Sequence, residues 1–225
     1  MDKVPFSVYD FFAYLASGAV LLATADYVFG FGFLTLKDVP VPLAVVVLVL
    51  AYVCGHVVSH FASLLLEHLA VKEILGQPVD ALLGELPRAA FLKWFFPNYF
   101  RPLPEEIRQL VRARASGFVG KGEALFLHAY GVVTSKPEIQ ARLDTFRNQY
   151  SFARNMALAF MLSAICIFVS HWREQKPAHG FWAACVAVVA VTLFYRFLKF
   201  YRQYSYEVLV RYAAQSGLSA GSGGA

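Results

Sequence analysis

The sequence predicts an all-helical, polytopic membrane protein with four transmembrane helices, some of which continue into a helical layer close to the membrane in the cytosol. Of the 225 residues, 58% are hydrophobic and only 16% are charged, whereas soluble domains carry about 25% charged residues. Four apolar windows, residues 11–33, 43–66, 156–172 and 181–198, match the length needed to cross the hydrocarbon core. A lipid bilayer is therefore the predicted environment of these windows.

Lysine and arginine are distributed unevenly among the segments that the four windows separate. Residues 67–154 hold 12 of them, four follow residue 195, Lys3 precedes the first window, and three lie in the two short loops. Cytoplasmic segments carry the excess of these residues, so both termini and the middle segment are expected on the cytoplasmic side of a bacterial inner (plasma) membrane. This bias and contact with anionic lipid head groups account for the net charge of +5, and direct nucleic-acid contact is not expected.

The first window is interpreted as an uncleaved span and not as a signal peptide, because Asp2 and Asp10 dilute the positive charge around its start. The glycines of YVFGFGFL, at its far end, predict that the helix frays or bends there. Asp26 lies near the same end. Since a charge at the bilayer centre is costly, Asp26 is expected either to reach water at the outer interface or to act as a pore-mouth or ion-coordinating acid.

The second window is plain in its first half and polar in its second, CGHVVSHFASLLLEHL. Small residues recur every four positions, which would let another helix approach closely: Ala51, Gly55, Ser59 and Ser63. His56, His60 and Glu67 fall within about 40° of one another around a helix. With Asp26, Ser59 and Ser63 they form a candidate polar stripe, used for interhelical hydrogen bonding, for proton response or pore lining, or for a metal. The sequence offers no third ligand to the two histidines, so no metal and no cofactor are predicted.

Residues 77–134 are predicted to form a cytosolic insert, after a helix that continues from the second span to Gly76. Prolines divide its first part into short pieces: Pro78, Pro87, Pro97, Pro102 and Pro104. The run AAFLKWFFPNYFRPLP is too aromatic for a solvated loop and too short for a span. It is expected either to lie on the inner leaflet or to form an aromatic core. Its candidate contact residues for lipid or a partner are Trp94, Phe95, Phe96 and Arg101.

A soluble helix is predicted next, with Glu105 and Glu106 in its first turn and Gly117 at its end. Its later arginines are candidates for binding a cytosolic protein partner: Arg108, Arg112 and Arg114. Another short helix follows between glycines. Gly120-Lys121-Gly122 lacks the frame of a phosphate loop and is predicted to be a turn.

Residues 135–215 are predicted to form a hairpin of two long helices, each with an apolar half and a charged half. A capping box, Ser135 with Glu138, is expected to begin the first helix, with Pro137 in its first turn. Asn155, at the membrane boundary, could bond across the hairpin. The cations at this depth are expected to anchor the interface or to bind a partner: Arg147, Arg154, Arg196, Lys199 and Arg202. Together with segments 1–76 and 77–134 and a flexible, low-complexity tail 216–225, the hairpin completes the predicted division of the chain.

No catalytic motif of the types HExxH, GxSxG or CxxC is present, and no enzyme is predicted. The cysteines, Cys54, Cys166 and Cys185, all lie in predicted spans, as expected for apolar packing and not for disulfides. Two classes of function remain open. One is a membrane-embedded sensor or effector subunit that couples a cytosolic partner or signal to the membrane. The other is an oligomeric ion channel or pore lined by polar residues of the first two spans. Small-residue helix faces favour a homo-oligomer in either case.

In its layout, four spans with a large cytosolic segment, the chain resembles small four-span membrane proteins of bacterial antiphage defence systems. The resemblance covers the arrangement of the spans, includes no diagnostic motif and assigns no role to any residue. It implies a membrane sensor or a membrane-disrupting effector.

Overall fold

The computed structural model describes residues 8–36, 38–86, 90–116, 118, 120, 122–175 and 177–214, and these residues form helices joined by turns, without a strand. The α-helices are α1 (Val8–Phe29), α2 (Val41–Ala62), α3 (Pro78–Leu83), α4 (Ala90–Phe95), α5 (Glu105–Arg114), α6 (Glu123–Val133), α7 (Pro137–Glu174) and α8 (Pro177–Ala214). Four helical segments are long and apolar enough to cross a membrane, which confirms the predicted fold class. Some predictions concern positions outside the described residues: residues 1–7, Pro87, Gly117, Lys121 and the tail 216–225.

The first span ends in a glycine turn. Helix α1 stops at Phe29, and Gly30 and Gly32 take φ angles of 68° and 79°. Only glycine adopts this left-handed conformation without strain, and a short 3₁₀ helix, Phe33–Thr35, follows. The predicted break of the helix in YVFGFGFL is confirmed.

The second span continues as a π-helix. Directly after α2, residues Ser63–Leu75 form a π-helical segment of 13 residues that ends at Gly76, where φ is 85°. The Gly76 N–H donates to the carbonyl of Val71, five residues earlier, at 2.7 Å. The predicted helical continuation to Gly76 is confirmed, but its π geometry was not predicted. Since π-helices are rare and are mostly single turns, so long a segment marks this part of the chain as unusual.

Helices α7 and α8 each contain 38 residues and run antiparallel. Ser170 lies 3.1 Å from His179, and Tyr150 packs near Phe197, with 6.4 Å between ring centroids. Residue numbers thus rise along one helix as they fall along the other, so the two helices are antiparallel.

The predicted capping box is wrong. The Ser135 hydroxyl donates to the carbonyl of Val132 at 2.8 Å, and Lys136, not Ser135, precedes the first helical residue. The hydroxyl therefore closes the turn after α6, and the first N–H groups of α7 do not depend on it.

The chain divides into two compact units. Unit 1 contains Met1–Leu69 and Tyr150–Phe197, and unit 2 contains Ala70–Gln149 and Leu198–Ala225. The π-helical segment, α7 and α8 contribute residues to both units.

The two units differ in their surfaces and cores. In unit 1, large apolar side chains of α2 are exposed, among them Val45, Val49 and Val53, as expected for helices surrounded by lipid. Unit 2 has a hydrophobic core of its own, built from α3, α5, α6 and parts of α7 and α8; its fully buried residues include Leu82, Val111, Val133, Leu143 and Leu209.

Candidate functional site: a buried ion pair beside the π-helix

An ion pair in unit 1 joins the π-helical segment to α7. The Nη1 atom of Arg154 donates to the Oε2 atom of Glu67, and the two side chains are 10% and 22% exposed. The remaining guanidinium nitrogens, Nε and Nη2, lie 3.4 and 3.3 Å from the amide oxygen of Asn155, which is buried. The Ser63 hydroxyl lies 3.4 Å from the same Glu67 carboxylate. Glu67, Arg154, Asn155 and Ser63 therefore form one connected polar cluster.

The cluster combines residues that the sequence placed in different groups. Glu67 and Ser63 were predicted in the polar stripe, and Arg154 was predicted as an interface anchor. Asn155 was expected to bond across the hairpin, but its described partner is the neighbouring Arg154. Sequence reasoning missed the pairing because Glu67 and Arg154 are 87 positions apart.

The energetics of such a pair make it sensitive to its surroundings. Desolvation of two charges roughly cancels their attraction, whereas removal of one partner leaves a buried, uncompensated charge. Glu67 and Arg154 lie just outside the apolar windows 43–66 and 156–172, and π-helical turns occur frequently at functional sites. The ion pair and the π-helical segment occur at the same place.

The two histidines of the stripe lie on the exposed surface of α2 and contact aromatic rings. The His56 ring stacks on Tyr14, with 4.1 Å between centroids, and meets Tyr52 edge-on at 4.6 Å. His60 lies next to Phe61, at 5.7 Å. Over the described part of the chain, no group of three metal-ligating side chains comes together.

Asp26 is buried, and its position is fixed by a backbone hydrogen bond. The Phe33 N–H donates to its Oδ1 atom at 2.8 Å, so the carboxylate holds the glycine turn after α1. The Asp26 carbonyl accepts the N–H of Gly30 at 2.9 Å. The structure thus shows Asp26 bonded to the backbone of its own turn.

The four small residues predicted to form one packing face do not all lie on the buried face of α2. Ala51 and Gly55 are buried, whereas Ser59 is half-buried and Ser63 is exposed. A row with a spacing of four residues drifts by about 40° per step around a helix with 3.6 residues per turn. The buried face therefore continues through Val58 and Ala62.

Helices α1 and α2 pack at backbone contact distance. A Cβ atom placed on Gly55 would lie 1.8 Å from the carbonyl oxygen of Tyr14, and one on Gly18 would lie 1.7 Å from that of Ala51. Such contacts need residues without a side chain. Gly18 was missed by the sequence reasoning, although a glycine inside an apolar window is a signal for close helix packing.

Two further polar contacts in unit 1 were not predicted. The Thr24 hydroxyl donates to Ser163 on α7 at 2.7 Å, which ties α1 to the hairpin. The hydroxyl of Ser170 lies 3.1 Å from Nδ1 of the buried His179, whose ring lies 5.1 Å from that of Tyr27. In the sequence, the only sign of these contacts is a hydroxyl residue inside an apolar window, such as Thr24 or Ser163.

The arginines of α5 make contacts within unit 2. Arg108 pairs with Glu105, and the Nη2 atom of Arg112 lies 3.6 Å from Glu85. The Arg114 guanidinium lies over the ring of Tyr212, 4.8 Å from its centroid. The Arg112 side chain is 53% exposed and that of Arg108 is 22% exposed, while Arg114 is half-buried. Arg112 is therefore the most accessible of the three.

The remaining predicted cations and aromatics are distributed over several surfaces. Arg147 pairs with Asp144 at 3.2 Å, and Arg202 donates to the carbonyl of Arg101 at 2.6 Å. Arg196 and Lys199 on α8 are exposed. On or just after α4, Trp94 and Phe95 are exposed and Phe96 is half-buried.

Glu123, at the start of α6, joins two parts of unit 2. It accepts hydrogen bonds from Gln77 at 2.9 Å and from Lys72 at 3.2 Å. These bonds, the one from Gln77 first, hold the pKa of Glu123 below its ordinary value of 4.5. The contact fixes the last turns of the π-helical segment to α6.

Comparison with protein-family models, with curated proteins and with solved structures finds no match for this chain.

Proposed function

We propose that the protein is a homo-oligomeric subunit of the bacterial inner membrane, a sensor or effector that couples a cytosolic partner or signal to the membrane. The observation that carries this proposal is the Glu67–Arg154 pair beside the π-helical segment. A coupling protein needs an element with two arrangements of similar free energy. Desolvation offsets much of the attraction in a largely buried ion pair, and a pair with so small a net gain suits such an element.

The π-helical segment offers a means of changing the pair. The π and α hydrogen-bond patterns turn the chain by different angles per residue. A change of pattern near Ser63 would therefore rotate Glu67 relative to Arg154. The segment also contributes residues to both units, so a partner bound to unit 2 could shift this equilibrium. A role in antiphage defence, suggested by the resemblance in layout, belongs to the same proposal.

The second candidate is an oligomeric channel, and one observation favours it. His56 and His60 lie exposed on α2 among large apolar side chains, where facing copies could bring them to a common axis. Against it, Asp26 is bonded to its own turn and Glu67 to Arg154, so these acids are already occupied within one chain.

Ion flux across vesicles distinguishes the two candidates. Wild-type protein reconstituted in liposomes should hold a potassium gradient, because the Glu67–Arg154 ion pair is formed. Glu67→Gln should dissipate the gradient or change the size of the cross-linked oligomer. Arg147→Gln is the matched control, since it breaks an exposed ion pair on α7, the helix that carries Arg154, and should behave like wild type.

Two results would contradict the proposal. If Glu67→Gln matches wild type in both ion flux and oligomer size, the ion pair does not couple a signal to the membrane. If vesicles with wild-type protein lose the potassium gradient and vesicles with the double variant His56→Ala/His60→Ala hold it, the protein is an ion channel.

A further inference from the structure

Helix α4 presents large aromatic side chains on the surface of unit 2. Phe91, Trp94 and Phe95 are 62%, 76% and 51% exposed, and we call these three residues the aromatic patch. The Trp94 and Phe95 rings meet edge to face, with 4.8 Å between centroids. Side chains of this size are normally buried in a water-soluble layer.

The patch stands on a fixed base. The hydroxyl of buried Tyr99 donates to the carbonyl of Gly76 at 2.6 Å, so the turn after α4 is attached to the end of the π-helical segment. The Leu103 N–H donates to Leu82 at 2.9 Å, and Arg202 holds the Arg101 carbonyl. A surface fixed in this way loses little conformational entropy when it binds.

The stretch of sequence that contains the patch, between Glu85 and Glu105, carries only positive charges. Residues 86–104, LPRAAFLKWFFPNYFRPLP, include Lys93 and Arg101 and contain no Asp or Glu. Lys93 is exposed and directly precedes Trp94. Tryptophan and phenylalanine flanked by cations match the chemistry of the bilayer interface, where the rings enter the boundary and the cations meet lipid phosphates.

We propose that the aromatic patch inserts into the head-group boundary of the bilayer that the chain itself spans, with Lys93 on anionic phosphates. The spans keep unit 2 tethered to that bilayer, so the patch meets lipid at a high effective concentration. This inference goes beyond the switch proposed above and depends only on the spans.

Tryptophan fluorescence tests the insertion without altering α4. The chain has three tryptophans, and the double variant Trp172→Phe/Trp182→Phe keeps Trp94 alone. This variant is reconstituted in vesicles of phosphatidylcholine and phosphatidylglycerol that carry bromine either near the head group or near the bilayer centre. We expect shallow bromine to quench Trp94 more than deep bromine does, and aqueous iodide to quench it weakly.

The other outcomes overturn the inference. Strong quenching by iodide without quenching by bromine would place Trp94 in water, and quenching by neither would place it under protein, for example a second copy. Lys93→Glu supplies an independent test. Since a cation near an anionic surface contributes about a fivefold factor in partitioning, this variant should lower the inserted-to-free ratio of Trp94 at least about fivefold. It should do so in vesicles with phosphatidylglycerol, and little without it. An equal inserted-to-free ratio of Trp94 for Lys93→Glu in vesicles with and without phosphatidylglycerol would contradict the role of Lys93.

Discussion

Replacing Glu67 with glutamine removes one charge of the buried pair and keeps the size of the side chain. Arg154, whose side chain is 10% exposed, then keeps its charge with the Asn155 amide oxygen as acceptor. Removal of one partner of a buried pair costs about 3–5 kcal/mol. The Glu67 side chain is 22% exposed, so water screens part of the interaction and we expect the lower end, about 3 kcal/mol. For a chain of this length that lowers Tm by roughly 6–12 °C.

Thermal unfolding in mild detergent, followed by circular dichroism, measures this effect. The double variant Glu67→Leu/Arg154→Leu is the informative partner, because an apolar pair of similar volume is often neutral or stabilising. It should therefore recover most of the loss. A free energy of unfolding for Glu67→Gln within about 0.5 kcal/mol of wild type would show that the pair does not stabilise the fold. A double variant that costs as much as the sum of its single variants would show that the two side chains do not interact.

Three further predictions concern packing, a hydrogen bond and pH. Gly55→Ala should destabilise the protein by about 1–3 kcal/mol or more, because its Cβ would overlap the backbone of α1; Gly131→Ala, with open space around it, should instead stabilise by about 0.5–1 kcal/mol. Tyr99→Phe should cost about 1–3 kcal/mol, since it leaves the Gly76 carbonyl without its buried donor; no change in unfolding would exclude this bond. The pKa of Glu123 is lowered in the folded state, so its contribution is present above about pH 4.5 and is lost as pH falls through the folded pKa. Glu123→Gln should flatten the acid limb of a stability–pH curve, and an unchanged limb would contradict the assignment.

The sequence predicted the features of the fold that depend on apolar length and on glycine. The four membrane-length helices follow from uninterrupted hydrophobic windows, and the end of α1 follows from Gly30 and Gly32. The two long helices, α7 and α8, each have an apolar half and a charged half, in opposite order along the chain. Such features are local, so a single chain reveals them.

Features that depend on distant partners were not predictable in the same way. The pairing of Glu67 with Arg154 and of Thr24 with Ser163 requires the register between separate helices. Hydrophobic periodicity fixes which face of a helix is buried, but it does not fix which residue on the next helix lies opposite.

One local expectation was wrong and one local feature was not predicted, for identifiable reasons. Ser135 could either cap α7 or close the turn after α6, and the nearer acceptor, the Val132 carbonyl, takes its hydroxyl. The π geometry of residues 63–75 has no composition signal, because the same residues suit an α-helix. In both cases the choice depends on neighbouring structure.

We propose that the chain crosses the membrane four times and leaves unit 2 on the cytosolic side. Cysteine labelling tests it most directly, in a background where Cys54, Cys166 and Cys185 are replaced by alanine. Lys136→Cys, between α6 and α7, and Val39→Cys, between α1 and α2, both replace exposed residues. In intact cells a membrane-impermeant maleimide should label position 39 and should reach position 136 only after the membrane is opened. Labelling of position 136 in intact cells, with position 39 protected, would contradict the account.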